Sequence, residues 1–329
     1  MARDNRIDTI KGLLIILVVI GHVITALDNV NIVNHGVMGL IYIFHMPLFI
    51  LISGYLTKHP SQQSPAQMWK SVGKIALTLL IFQVIAAIRV CVLEGRWDHF
   101  FHSLVVFPFG VLWYLFSLIC WRIMLYYTPT KLLERPTVYL AIALVVSLLI
   151  GLTHLGTFLS IQRTLNFYLF FLMGFYYRQG DFNTPLWHNN KLHAAAAVVT
   201  LPLLFWLFPR CGNVMNGADY YGIAGLPEKA MVLIASISMS LLVFNLVREN
   251  KWLAPIGRDS LFYYVYHINI LAVTVVPLVR IYNLPRALPF IILYTAIAMA
   301  IMYVMSKVKL FKWFVNPTLP KRSASSTGD

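Results

Sequence analysis

Charged side chains are scarce in this chain, and acidic ones are the scarcest. Only 12% of its 329 residues are charged, with 12 Asp and Glu against 26 Lys and Arg. Soluble domains carry about 25% charged residues. The chain is instead 59% hydrophobic, with a mean hydropathy of +0.73. Long apolar runs with few charges exclude an ordinary soluble domain and predict an all-α polytopic membrane protein.

Cysteine is also rare, and no repeat or soluble domain is evident. Cys91, Cys120 and Cys211 fit neither a metal site nor a redox motif in their spacing. The net charge of +14 does not indicate nucleic-acid binding, because the basic residues lie between apolar runs, as topology signals do. Positive charge at the inner face suits anionic lipids, so membrane lipids are the expected partners.

About ten apolar segments are candidate membrane spans. Placing the N-terminus inside puts a clear majority of the 26 Lys and Arg residues on the cytoplasmic side. Both termini are then cytoplasmic. Residues 1–315 are expected to form one transmembrane domain, followed by a disordered tail over 316–329. The predicted spans are 12–28, 36–56, 71–93, 104–127, 137–153, 164–180, 193–209, 229–247, 260–279 and 287–306.

The first two apolar runs each carry a histidine near the middle, His22 and His45. An ionisable residue at that depth is costly and marks a functional site by default. Ten residues separate Lys11 from His22, and these eleven helical steps place both on one helix face, about 16 Å apart along the axis. Asp8 falls on the same face one turn earlier. This stripe suits a long ligand with a charged end and a reactive end, such as a coenzyme A thioester. If the two runs are antiparallel neighbours, both imidazoles lie at similar depth.

Six motifs are informative together: Lys11 with His22, FHMPLF at 44–49, SGYL at 53–56, LWYL at 112–115, RTLNFYLFFLMG at 163–174 and IGRDSLFYYVYH at 256–267. They resemble the acyltransferase-3 family of integral membrane O-acyltransferases that modify carbohydrates, and the fucose 4-O-acetylase-like branch is the most similar. Lysine replaces the arginine more usual at position 11, which keeps the charge but loses the planar fork that binds phosphate in two places.

The resemblance implies transfer of an acetyl or other acyl group from cytoplasmic acetyl-CoA to a hydroxyl of a cell-surface or lipid-linked carbohydrate. The usual setting is a bacterial inner membrane. His22 would act as general base on the attacking hydroxyl, and a transient acyl-histidine is the open alternative. His45 would orient the reacting groups or stabilise the oxyanion. Acetyl-CoA is a substrate here, and neither a bound cofactor nor a metal site is expected.

The remaining candidates each have two interpretations. Lys11, assisted by Arg6 and Arg258, would bind the donor's phosphates, or would mark the membrane boundary by snorkelling. Asp8 would pair with one of these cations and orient it. At the other end, Arg163 would either anchor a helix at the interface or contact an acceptor sugar or lipid phosphate.

Aromatic residues supply the other acceptor candidates. Trp113 and Tyr114 would belong to an interfacial belt, or would stack on a sugar or on the pantetheine arm. His267 follows a run of tyrosines, and a structural role there is favoured over a catalytic one.

The rival to an acyltransferase is a proton-coupled transporter with His22 and His45 as a relay. Against it, carboxylates are almost absent from the spans, and no paired broken helices occur in matching halves.

Overall fold

The computed structural model describes residues 4–27, 32–95, 97, 110–153, 155, 158–181, 184–207 and 222–317. Within these ranges the chain is mainly helical and has no strand. A short π-helical stretch, Leu271–Val275, joins two of the helices. The α-helices are α1 Asn5–Ala26, α2 Ile32–Tyr55, α3 Pro65–Glu94, α4 Trp113–Tyr126, α5 Thr130–Leu133, α6 Pro136–Leu149, α7 Ile161–Gln179, α8 Asn190–Leu207, α9 Leu226–Leu246, α10 Leu253–Arg258, α11 Ser260–Ile270, α12 Val276–Ile281, α13 Leu288–Met305 and α14 Lys309–Val315.

Each of the ten predicted spans overlaps a helix, and the all-helical integral membrane fold is confirmed. The count of ten is not confirmed by length and hydropathy, and the cytoplasmic placement of both termini stays a prediction. Two further helices, Gly110–Tyr126 and Pro136–Leu152, are apolar but shorter than a typical span. Within the described residues, six segments are long and apolar enough to cross a membrane: Asn5–Ala26, Gly36–Tyr55, Pro65–Leu93, Ile223–Leu246, Ser260–Ile281 and Leu288–Met305.

Helix α1 is a central element of the bundle and contacts α2, α10, α11 and α13. It begins where Asp4, as N-cap, accepts hydrogen bonds from the backbone N–H groups of Arg6 and Ile7. Its residues Ile10, Leu14, Ile15 and Val19 are fully buried. The middle of α1, between Lys11 and His22, is therefore packed against neighbouring helices.

Glycines allow two pairs of helices to cross at close range. A Cβ at Gly54 of α2 would overlap the carbonyl oxygen of Phe171 in α7, and a Cβ at Gly174 of α7 would overlap that of Leu51 in α2. Small residues let two helix backbones approach closely inside a membrane, where burial of apolar surface does not drive association. The SGYL and FFLMG motifs therefore meet at one α2–α7 crossing.

The second crossing joins α1 to α10. A Cβ at Gly12 would overlap the carbonyl oxygen of Leu253, and a Cβ at Gly257 would overlap that of Asp8. This contact brings the chain near residue 258 against the first turns of α1. After α14 the described residues continue to 317. The predicted tail, 316–329, therefore lies outside them from residue 318 onward.

Candidate functional site

A cavity of about 350 Å³ lies between α1, α2, α3, α7 and α11. We call it the histidine cavity. His22 stands four residues before the end of α1, Arg89 five before the end of α3, and Arg163 near the start of α7. The cavity is therefore at the end of the bundle opposite Lys11. Its polar and aromatic lining consists of His22, Tyr42, His45, Phe82, Arg89, Trp113, Arg163, Tyr264 and Asn269.

Tyr42 stands between the two histidines of the cavity. Its ring centroid lies 5.0 Å from that of His45 and 6.4 Å from that of His22. His45 is buried, and its Nδ1 donates to the carbonyl oxygen of Ile41 at 2.7 Å. Because a carbonyl only accepts, neutral His45 carries its proton on Nδ1 and has a lone pair on Nε2. The structure thus brings the two predicted histidines to one cavity.

His267 lies behind His22 rather than on the cavity wall. The two ring centroids are 5.0 Å apart, with an angle of 44° between the planes. His267 is fully buried, and its Nδ1 donates to the carbonyl oxygen of Tyr264 at 2.7 Å. Its Nε2 is buried and has no hydrogen-bond partner within the described residues. Buried nitrogens of this kind are rare and call for an explanation.

Trp113 and Arg163 both line the cavity. The Arg163 guanidinium carbon lies 5.5 Å from the Trp113 ring centroid. The Phe167 ring stacks with Trp113, and the two ring centroids are 5.4 Å apart. The guanidinium and the indole are thus held as a cation–π pair beside the histidines.

Tyr114 was also predicted to be a pocket residue, but it is not part of the cavity lining. Its hydroxyl lies 2.6 Å from Oγ of Ser53. Ser53 donates to the carbonyl oxygen of Phe49, so Tyr114 is the donor to Ser53. Its ring packs against Tyr264, whose hydroxyl donates to the carbonyl oxygen of Val111. Tyr114 therefore ties α4 to α2 and α11.

Arg89, Tyr42 and Asn269 are among the cavity residues that the sequence did not single out. Arg89 lies inside the predicted span 71–93, and the rule that singled out His22 applies equally to an arginine at that depth. Tyr42 stands three residues before His45, on the same helix face. No sequence pattern marks Asn269. In the structure its Oδ1 is buried without a hydrogen-bond partner among the described residues.

At the opposite end of α1, three of the four predicted donor residues converge. Nζ of Lys11 lies 2.8 Å from Oδ1 of Asp8, and Nε of Arg258 lies 3.9 Å from Oδ2 of the same carboxylate. Asp8 is only 3% exposed. The predicted pairing of Asp8 with a neighbouring cation is present, and it fixes Lys11 at the mouth of the stripe.

Arg6, the fourth, has another partner. Its guanidinium donates to the carbonyl oxygens of Val247, at 3.0 Å, and of Phe244. It also lies 5.0 Å from the Phe244 ring centroid. Arg6 therefore closes the C-terminal end of α9, where carbonyl groups lack helical partners.

The stripe between Lys11 and His22 is packed. Ile15 is 0% exposed and Val18 is 2% exposed. The histidine cavity reaches Val18 but not Ile15. A ligand spanning the stripe must therefore displace side chains.

A sequence model of the acyltransferase-3 family, described as an acyltransferase domain, matches residues 4–307. The chain belongs to the acyltransferase-3 family. The nodulation protein NolL of Sinorhizobium fredii (strain NBRC 101917 / NGR234) is 32% identical over 285 residues, which cover 79% of this acyltransferase and 69% of NolL. No solved structure matches the chain. Together with the helical fold, the family makes this protein a membrane acyltransferase, as the motifs indicated.

The acyltransferase thus has two groups of ionisable residues at the two ends of α1. The histidine cavity offers imidazoles and two arginines, Arg89 and Arg163, and the opposite end offers paired cations. Within the described ranges, no three His, Cys, Asp or Glu side chains lie close enough together to hold a metal ion.

Proposed function

We propose that this acyltransferase moves an acetyl group from cytoplasmic acetyl-CoA to a hydroxyl of a lipid-linked or cell-surface carbohydrate, in a bacterial inner membrane with the N-terminus inside. The observation that carries the proposal is the histidine cavity, where His22 and His45 meet Trp113 and Arg163. A partly buried cavity with aromatic walls and a few convergent polar groups is the usual form of a small-molecule site.

His22 is the proposed general base. It lines the cavity and is partly exposed there, whereas His267 behind it is fully buried. Its imidazole takes the proton of the acceptor hydroxyl as that oxygen attacks the thioester carbonyl. The carbon–sulfur bond breaks, and the proton passes to the departing thiolate of coenzyme A. If His22 acts as nucleophile instead, an acyl-histidine forms first and the acceptor oxygen attacks it.

His45 is proposed to orient the acceptor. Its Nδ1–H is occupied by the carbonyl oxygen of Ile41, so neutral His45 offers the cavity only the lone pair of Nε2. A lone pair accepts a hydrogen bond from a substrate hydroxyl but cannot donate one to an oxyanion. The bond to Ile41 therefore favours the orienting role over stabilisation of the oxyanion.

The carbohydrate is proposed to bind between Trp113 and Asn269. The indole offers a flat apolar face for a sugar ring, and the buried Oδ1 of Asn269 is an acceptor for a sugar hydroxyl. Arg163 would bind a further hydroxyl or a phosphate of a lipid carrier. At the other end of α1, Lys11 would contact the phosphates of the donor.

The test uses the purified full chain in nanodiscs with acetyl-CoA labelled in the acetyl group. Free sugars and lipid-linked sugars are offered as acceptors, and labelled product and released coenzyme A are measured together. We expect equal amounts of both with at least one acceptor. Failure to bind acetyl-CoA at all would overturn the proposal. Label retained on protein without acceptor would identify the acyl-histidine route.

A further inference from the structure

A second cavity, of about 480 Å³, lies where the α10–α11 junction faces α14. We call it the basic groove and define it by Arg258, Asp259, Lys309, Lys312 and Trp313. Three cations face one carboxylate, and Nζ of Lys312 lies 3.6 Å from Oδ2 of Asp259. Positive charge is therefore in excess. The side chains of Arg258 and Lys312 are 47% and 52% exposed, so a solute can reach both.

We propose that the basic groove binds the nucleotide phosphates of the acyl donor, an inference that rests on the proposed function. Arginine binds phosphate through two parallel N–H groups, and lysine binds it as a point charge. Trp313 is 47% exposed beside these cations and offers a face on which a purine stacks. Phosphates next to a purine are the chemistry of the nucleotide half of coenzyme A.

The groove also adjoins the residue that the sequence singled out for donor binding. Arg258 and Lys11 share the carboxylate of Asp8, at 3.9 and 2.8 Å. A phosphate bound by Arg258 therefore lies beside the mouth of the stripe. Lys309 and Lys312 extend this cationic surface from the other end of the chain.

A continuous set of aromatic contacts leads from the groove to the histidine cavity. Phe262 lines the groove, and its ring centroid lies 4.6 Å from that of Tyr266. Tyr266 lies 4.9 Å from Phe82, which lines the histidine cavity. We call Phe262, Tyr266 and Phe82 the aromatic partition. A thioester carried on the pantetheine arm reaches the histidines if these rings turn aside.

Helix α14 connects the groove to the partition. The hydroxyl of Tyr266 donates to the carbonyl oxygen of Phe311 at 3.2 Å. Phe311 lies on α14 between Lys309 and Lys312. A phosphate bound by these two lysines therefore acts on the helix that holds the ring of Tyr266 in place.

Lipid headgroups carry the same phosphate chemistry, so the experiment separates the two sources. The double variant Lys309→Gln/Lys312→Gln is compared with Lys307→Gln. Lys307 lies between α13 and α14, with Nζ 4.3 Å from the Tyr303 ring, and does not line the groove. Each protein is assayed with acetyl-CoA and with S-acetylpantetheine, which lacks the nucleotide. Nanodiscs are made with and without anionic lipid.

We expect the double variant to raise KM for acetyl-CoA by about tenfold or more, with kcat little changed, because charged hydrogen bonds to phosphate are lost. KM for S-acetylpantetheine should be unchanged, and Lys307→Gln should behave as wild type. Unchanged kinetics with acetyl-CoA, an equal effect on both donors, or an effect that follows only the anionic lipid would overturn the inference.

A direct binding measurement tests the basic groove without requiring turnover. Labelled adenosine 3′,5′-bisphosphate is titrated into wild type and the double variant. Tighter binding to wild type supports the groove even if no acceptor gives turnover, and equal binding overturns it. If wild type and the double variant turn over acetyl-CoA equally well, the proposed function is supported and the role of the basic groove is overturned.

Discussion

The imidazoles of His22 and His267 lie with their ring centroids 5.0 Å apart, the first on the cavity wall and the second fully buried behind it. The bond to Tyr264 holds the proton of His267 on Nδ1. The buried Nε2 is then an acceptor that has no partner within the described residues. A hydrogen bond from His22 to this nitrogen would fix the ring and direct its other nitrogen into the cavity.

We therefore expect His267→Leu to lower kcat by about 10- to 100-fold with little change in either KM, because it removes a partner that positions the base. His267→Gln keeps an acceptor oxygen and should retain more activity than His267→Leu. Steady-state kinetics and the pH profile of kcat check this. Equal activity of the leucine and glutamine variants would show that His267 has only a packing role.

Arg163→Gln should raise KM for the acceptor and leave KM for acetyl-CoA unchanged. The variant removes the guanidinium that is proposed to bind an acceptor hydroxyl or phosphate, and a hydrogen bond to a charged group contributes about 1.5–3 kcal/mol. The exposed Arg248, replaced by glutamine, is the matched control. Initial rates measured against each substrate in turn separate the two constants. A rise confined to KM for acetyl-CoA would place the donor, not the acceptor, in the histidine cavity.

Lys11→Gln should raise KM for acetyl-CoA but not KM for the acceptor, since the lysine lies at the opposite end of α1 from the cavity. Lys11→Arg should restore donor binding, because a guanidinium also pairs with Asp8 and binds phosphate in two places. Competition by free coenzyme A measures donor affinity without turnover. An arginine variant as weak as the glutamine variant would speak against a phosphate contact at this position.

Gly54→Ala and Gly174→Ala should each destabilise the protein by about 1–3 kcal/mol, because the new Cβ meets a backbone carbonyl across the α2–α7 crossing. Gly73→Ala is the matched control: a Cβ there has open space, and alanine favours the helix. Thermal unfolding in detergent compares the three. An unchanged unfolding midpoint for Gly54→Ala and Gly174→Ala would mean that the two helices can move apart at little energetic cost.

Local spacing predicted two of the side-chain arrangements in the structure. The three-residue step from Asp8 to Lys11 gave their ion pair, and the short link between the first two helices brought His22 and His45 to one cavity. Both inferences depend only on helix geometry and chain length. The helical membrane fold followed from hydropathy in the same way.

Local spacing did not show which helices cross, although Arg258 was expected beside Lys11. Arg258 meets Asp8 because Gly12 and Gly257 let α1 and α10 approach, and no local pattern encodes which helices cross. Periodicity placed Ile15 on the stripe but did not tell what covers that face, which the structure shows to be packed. Tyr114 carried the same aromatic signal as Trp113, yet its hydroxyl bonds to Ser53 instead of facing the cavity.

The proposed function depends on His22, which would transfer a proton or the acyl group in the histidine cavity. The most direct measurement is a single turnover with saturating labelled acetyl-CoA and an active acceptor, in wild type, His22→Ala and the control His59→Ala. We expect His22→Ala to bind the donor as wild type does and to lose at least about 100-fold in the rate of transfer. His59→Ala should transfer normally. A His22→Ala protein that binds donor and transfers at the wild-type rate would contradict the account.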